Sequence, residues 1–388
     1  MAPDSQNAGP EMRFAGASLT IDLEALKANY AALAQVCAPA VTAGVVKADA
    51  YGLGIDRVAP ALSDAGCMRF FVALPEEGAA VRKAVPDATI YVLNGLFSEE
   101  SGSLYLQDRL IPVLNSPVDL RLWETFCGVS GVRLPCAINV DTGMNRLGMT
   151  VEEALAFAEE NALTQAIDPV LVMSHLACAD EQAHPMNRRQ LESFQQVTAA
   201  FPGIESSLVN SAGILLGAEY HGSVTRPGIA VFGGAILPGT ANPMRVVVTA
   251  EARVAQIRHA RAGETVSYGA TQTLSRDTII AVAAIGYADG YPRAGSATGV
   301  ALRQTNRLAG NGFIQGQRVP ILGRITMDLT MFDVTDLGPN MVAKGDFIEL
   351  FGPNLPIDEA AAAAGTISYE LLTSLGRRYH RRYVEGGR

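Results

Sequence analysis

The chain has little that would mark a secreted, metal-bound or nucleic-acid-binding protein. Its five cysteines (Cys37, Cys67, Cys127, Cys136, Cys178) form no C-x-x-C pair and are odd in number, which fits reduced thiols in a cytosolic protein better than a disulfide framework. The five histidines (His175, His184, His221, His259, His380) show no ligand spacing, so no metal site is expected. Basic tracts are absent and the formal net charge is −9, which argues against nucleic acid and anionic membrane surfaces as partners. No apolar run approaches the ~18 residues of a membrane span. The first fifteen residues have neither a basic nor an apolar segment of the secretory kind, and read as a short disordered tail, residues 1–15.

What is present is apolar and long. With 388 residues, 48% of them hydrophobic and only 18% charged, the chain can bury a large core and exceeds one ordinary domain. Eight short apolar runs recur: 41–46, 70–74, 89–93, 110–114, 135–140, 169–173, 207–209 and 223–225. Helical patterns fill several of the gaps, at 75–85, 117–126, 151–162 and 185–200, and a further one covers 21–30 behind Thr20 and Asp22 as caps. Strands alternating with crossover helices imply a parallel sheet, and eight such units imply a closed (β/α)₈ barrel over residues 16–243. A doubly wound open sheet is the competing arrangement, but no G-x-G-x-x-G follows the first strand. After Pro243 the texture turns to alternating strands, with 244–274 reading as two strands about a Gly turn, so residues 244–388 are expected to form a mostly-β domain. The fold class is thus α/β: a TIM-type barrel followed by a β-rich domain.

In such a barrel the chemistry gathers on the loops after the strands. The first run ends in Lys47, and Tyr51 follows in a Gly-rich turn. A lysine at a strand end commonly snorkels to water; one held partly out of water loses basicity and becomes a nucleophile or base. The polar residues after later runs are Asp141 to Arg146, then Ser174 and His175, then Asn210 and Ser211, then Arg226. Asn210 and Ser211 read most simply as a turn and helix cap, yet a helix N-terminus after a late barrel strand is also a common phosphate site. Arg226 adds a fixed cation, and Gly228 a place where backbone can approach a ligand. Lysine, phosphate cradle and barrel mouth together suggest pyridoxal phosphate.

The sequence also resembles the alanine racemases, a fold-type III pyridoxal-phosphate family, in ten strings that follow the family's order: TIDLEALKANY, VVKADAYGLG, DTGMNRLGM, SHLACAD, VNSAG, TRPGI, VSYGAT, GYADGYPR, ITMD and TISYELL. The resemblance implies that Lys47 carries the cofactor and that Tyr268, from the β domain of a partner subunit in a homodimer, is the second catalytic base. It implies that Tyr51, Ser211, Gly228, Ile229 and Tyr369 grip the phosphate, with Asn210 beside them. It places His175 beside the pyridine ring and Arg226 at the pyridine nitrogen. Arg146 and Met327 match positions that receive the substrate carboxylate, and Tyr287 matches a tyrosine at the pocket entrance. The substrate implied is alanine, interconverted between its L and D forms by two opposed bases. A serine-preferring or broader amino-acid racemase and a non-catalytic carrier of the same cofactor are the alternatives; the second lacks the β domain that holds Tyr268. Two positions depart from the family. Asn139 stands where many members have a carbamylated lysine that orients the arginine at 146, so an anion such as chloride replaces that charge or Arg146 is held differently. Thr326 stands where a cysteine is frequent.

Overall fold

A computed structural model describes residues 11–386 apart from 99, 165, 238 and 299–309, and the chain divides into two compact units, residues 26–245 and residues 1–25 with 246–388. Residues 1–10 of the expected tail lie outside the described residues.

The unit of residues 26–245 carries eight strands where eight were expected, the seventh displaced from 207–209 to Glu205–Ser207. Gly44–Val45, Arg69–Val72, Thr89–Val92, Leu110–Leu114, Pro135–Asn139, Asp168–Met173 and Glu205–Ser207 lie side by side in that order, every neighbouring pair parallel. The eighth, Val224–Thr225, pairs in parallel with Val41–Thr42 at the start of the first, and the Ser223 amide donates to Ser206 O at 2.8 Å. The sheet therefore closes. Between the strands run the expected helices Pro75–Ala84, Pro117–Ser130, Val151–Thr164 and Pro185–Ala199, with Ile55–Asp64 and Ser101–Gln107 in addition. Proline opens three of these helices because its missing N–H would be unpaired there anyway. The barrel interior is filled by Ala43, Phe71, Tyr91, Val113, Ala137 and Leu171, and the Phe71 and Tyr91 rings stack 4.7 Å apart. Truncating Phe71 to alanine there costs about 3–5 kcal/mol.

The other unit is a mostly antiparallel eight-stranded sheet. Its spine is the thirteen-residue strand Val248–Ala260, whose alternating burial arises because one face meets the core. Three expectations are corrected by the structure. The segment Ala17–Asp22 is a strand, paired with Val248–Ala260 on one side and Tyr379–Val384 on the other. The helix begins only at Leu23, where Asp22 Oδ1 accepts the Ala25 amide at 2.9 Å; the alternation of Ala17, Leu19 and Ile21 decides for a strand. The long strand also finds its hairpin mate in Thr278–Ala283, while Thr265–Val266 and Gln272–Thr273 form a small separate ribbon. Finally, residues 11–15 are fastened rather than loose, since the Arg253 guanidinium donates to Met12 O at 2.6 Å and Ala15 O at 2.9 Å.

Candidate active site

Lys47 stands where the first strand stops. The Val46 amide donates to Phe71 O at 2.9 Å, the last parallel-sheet bond, and the chain then turns left-handed. Ala48, Asp49, Ala50 and Tyr51 have φ of 54°, 52°, 53° and 57°, a run of four non-glycine residues in a conformation costing about 1–2 kcal/mol each. Such strain persists only where surroundings over-determine it, and it clusters at functional sites. Part of the restraint is local: Asp49 Oδ1 accepts the Ile55 amide at 2.9 Å. The Tyr51 ring stacks on Phe232 at 4.4 Å.

Across the mouth, Ser211 Oγ accepts the Gly228 amide at 3.0 Å and the Ala230 amide at 3.4 Å. Between them, the amide of Ile229, a residue 1% exposed, donates to no group among the described residues. A Cβ at position 228 would lie 2.2 Å from the Tyr51 hydroxyl, so only glycine lets the phenol reach this loop. Asn210 Oδ1 accepts the Gly213 amide at 2.9 Å, as a cap should, but the element it caps is a four-residue 3₁₀ turn, Gly213–Leu216. The expected helix N-terminus is replaced by the amides of the 228–230 loop, which with two hydroxyls form a small cradle for an anion.

Arg226, His175, Arg146 and Lys47 are close enough to act on one another's charge. Arg226 is buried, and its guanidinium donates to Ser207 Oγ, to Ser174 O at 2.6 Å and to Leu208 O at 3.4 Å. All these partners are neutral. Burial lowers its pKa to about 9, so it stays charged at neutral pH. His175 is pushed down to about 3 by burial first and then by Arg226, Arg146 and Lys47, and is therefore a neutral imidazole. Lys47 is reached by solvent yet surrounded by protein, as a side chain in a concave mouth is. Burial, then Arg146, lower its pKa, Glu77 opposes them, and Arg226 adds to the lowering. The set is suited to hold anions and to keep an amine reactive.

Arg146 sits on a loop held from both ends. Asp141 accepts the Gly143 and Met144 amides at 2.7 Å on one oxygen and the Arg146 amide at 3.2 Å on the other. Asn139 donates its side-chain amide to Leu147 O at 3.1 Å and to Asn115 Oδ1 at 2.8 Å. The backbone of the Arg146 loop is thus held by Asp141 and by the neutral amide of Asn139. Sequence reasoning missed Asn115 and also Gln190, which is fully buried and donates to His175 O at 2.9 Å and Thr142 Oγ1 at 3.2 Å. Asn115 stands directly after the strand Leu110–Leu114, where the rule for strand ends would have found it, whereas Gln190 lies inside the helix Pro185–Ala199, where a polar residue at an apolar-phase position is a weak signal.

The remaining expected residues, Tyr268, Tyr287, Met327 and Tyr369, belong to the other compact unit. They are 73%, 43%, 54% and 38% exposed. Tyr268 is carried on a turn in which Ser267, Gly269 and Ala270 have positive φ, fastened by Ser267 Oγ donating to Arg324 O at 2.8 Å. The Tyr287 amide donates to Thr326 O at 3.1 Å and the Ala288 amide to Met327 O at 3.0 Å. Gly286 makes this possible, because a Cβ there would lie 2.2 Å from Thr326 O. Thr326 spends its hydroxyl on Leu329 O at 2.9 Å.

Fold and site define a class: a parallel barrel with a lysine at its mouth beside an anion cradle, joined in sequence to a β unit that displays tyrosines. Comparison with known proteins narrows it. The family described as alanine racemase, N-terminal domain, matches residues 21–236, and the alanine racemase C-terminal domain matches residues 247–383. The chain is 53% identical over 377 residues to an alanine racemase of Rhizobium meliloti (strain 1021), covering 97% of this chain and 99% of that one. It is 51% identical over 366 residues to a biosynthetic alanine racemase of Agrobacterium fabrum (strain C58), covering 94% and 93%. A crystal structure of alanine racemase from Bartonella henselae with covalently bound pyridoxal phosphate superposes with a TM-score of 0.88 at 38% identity, covering 95% of this chain and all of that one. The chain belongs to the alanine racemase family.

Proposed function

We propose that the protein is a pyridoxal-phosphate-dependent alanine racemase that interconverts L- and D-alanine, working as a two-fold homodimer in the cytosol. The residues present fit the cofactor. The Ser211 hydroxyl, the Tyr51 phenol and the amides of Gly228 and Ile229 suit its phosphate, with Asn210 shaping that loop and Tyr369 supplied by the β unit. Lys47 is the amine that would bind it covalently. When bound, pyridoxal phosphate supplies the electron-withdrawing system that acidifies the Cα–H of an amino acid.

The observation that carries the reading is Arg226: buried, charged, and partnered only by neutral acceptors. A cation at the pyridine nitrogen opposes its protonation and weakens electron withdrawal, which suits brief removal and return of one proton rather than routes through long-lived carbanions. The other groups then have clear tasks. Lys47, with its lowered pKa, holds or takes a proton on one face, and the phenol of Tyr268 does so on the other. Neutral His175 flanks the ring without adding charge. Arg146 and Met327 receive the substrate carboxylate, and Tyr287 narrows the entrance. Because Tyr268 stands on a different compact unit from Lys47 and is widely exposed, we assign it to the neighbouring subunit's site.

Reduction of the purified protein with borohydride, followed by peptide mapping, should leave the cofactor on Lys47, and L-alanine should yield D-alanine faster than L-serine yields D-serine. A label on another lysine, or a serine rate above the alanine rate, would overturn the assignment.

A further inference from the structure

The left-handed turn after Lys47 is tied by the Ala50 amide donating to Val46 O at 2.9 Å and by Asp49, and a further tie reaches it from the next helix. Glu77 lies in the first turn of the helix Pro75–Ala84 and is half-buried. One of its oxygens accepts the Ala48 amide at 2.6 Å, while the other accepts the Ala73 amide at 2.8 Å and the Leu74 amide at 3.2 Å. Bonds from a carboxylate to amides at a helix start are ordinary capping. The bond to Ala48 is not, because Ala48 is the residue directly after Lys47 and belongs to another element.

We propose that Glu77 is a positioning residue of this site: its carboxylate clamps the left-handed turn of residues 48–51 to the loop after the adjacent strand, and so sets the placement of Lys47 and Tyr51. A useful contrast is Glu153, which occupies the same first-turn position of the helix Val151–Thr164. It accepts the Thr150 amide at 2.9 Å and reaches no catalytic turn. The two glutamates share the cap; only Glu77 adds the clamp. Glu77 is also the acidic group acting on the Lys47 amine, against Arg146 and Arg226, with His175 facing the same amine. Replacing it by glutamine removes the charge and turns an N–H₂ toward one of the two sets of amide donors, so at least one side of the clamp is lost.

This rests on Lys47 being the cofactor-bearing lysine, and the test separates the two claims. In full-length protein stripped of cofactor, the pH dependence of Lys47 modification by an amine-reactive reagent, read by mass spectrometry, follows its titration without reference to any activity. E77Q should move that titration to lower pH and weaken pyridoxal phosphate binding roughly ten-fold or more. E153Q should lower the melting temperature comparably while leaving both readings as in wild type. E77D, which keeps the charge but shortens the reach, should restore the titration toward wild type, and it serves if E77Q does not fold. Wild-type titration and binding in E77Q, or an equal change in E153Q, would refute the clamp. A borohydride label absent from Lys47 in wild type would instead refute the reading of Lys47 and leave the titration result standing.

Discussion

The two compact units treat their functional residues in opposite ways. In the barrel unit Arg226 is sealed in the interior, and Ser211 and Tyr51 are tied to the loops they serve. In the β unit Tyr268, Tyr287, Met327 and Tyr369 stand out from the surface, on turns that are themselves firmly hydrogen bonded. The difference teaches that the barrel unit holds its candidate residues by burial and direct hydrogen bonds, whereas the β unit fixes the backbone of its turns and leaves the side chains exposed. Strain marks both: left-handed backbone follows Lys47 and surrounds Tyr268.

The contrast between the units breaks most completely at Lys47. Lys47→Ala should remove covalent cofactor retention and lower turnover by on the order of 10⁴-fold or more; an unchanged reducible absorbance in this variant would show that the barrel mouth does not hold the cofactor through this amine. Tyr268→Phe should cost roughly 10²–10⁴-fold and unequally for the two enantiomers, measured as Cα hydrogen exchange in deuterated water starting from L- or D-alanine. An equal loss in both directions would mean that the β unit does not supply an opposed base.

Gly228→Ala probes the finish of the cradle. Its Cβ has no room beside the Tyr51 hydroxyl, so the variant should lose about 1–3 kcal/mol of stability and bind pyridoxal phosphate more weakly, whereas alanine at the open Gly338, where only the positive φ resists, should spare the cofactor. The smallest effect is a titration. His175 should remain neutral until the pH falls to about 3, visible in the NMR shift of its ring proton. With the unfolded histidine near pH 6.5, the unfolded chain binds the extra proton between those two values. Its contribution therefore favours unfolding increasingly as the pH drops from about 6.5 toward 3, and His175→Asn should flatten that part of the stability curve.

Most of the barrel strands were legible because a strand buried on both faces is a short apolar run, and the crossover helices because apolar residues recur at helical spacing; the polar strand Glu205–Ser207 was placed two residues late. The strand Ala17–Asp22 was not legible, because a helix follows it directly and its partners lie more than two hundred residues away. Lys47, Ser211 and Arg226 could be picked out by standing just after strands. Asn115, directly after the strand Leu110–Leu114, could have been found the same way. Glu77 and Gln190 could not, since each acts on the backbone of a loop distant in sequence and looks locally like an ordinary cap or helix residue.

By itself the sequence determined the alternation of elements, the residue types available at the strand ends and the family to which the chain belongs, because hydrophobic period and motif order are properties of neighbours along the chain. Only the tertiary structure decided which amides face the Ser211 hydroxyl, that Asn139 bonds the backbone of the Arg146 loop, and that a carboxylate from the next helix accepts the amide behind Lys47. Those are contacts between segments far apart in sequence, and their geometry exists only once the barrel has closed.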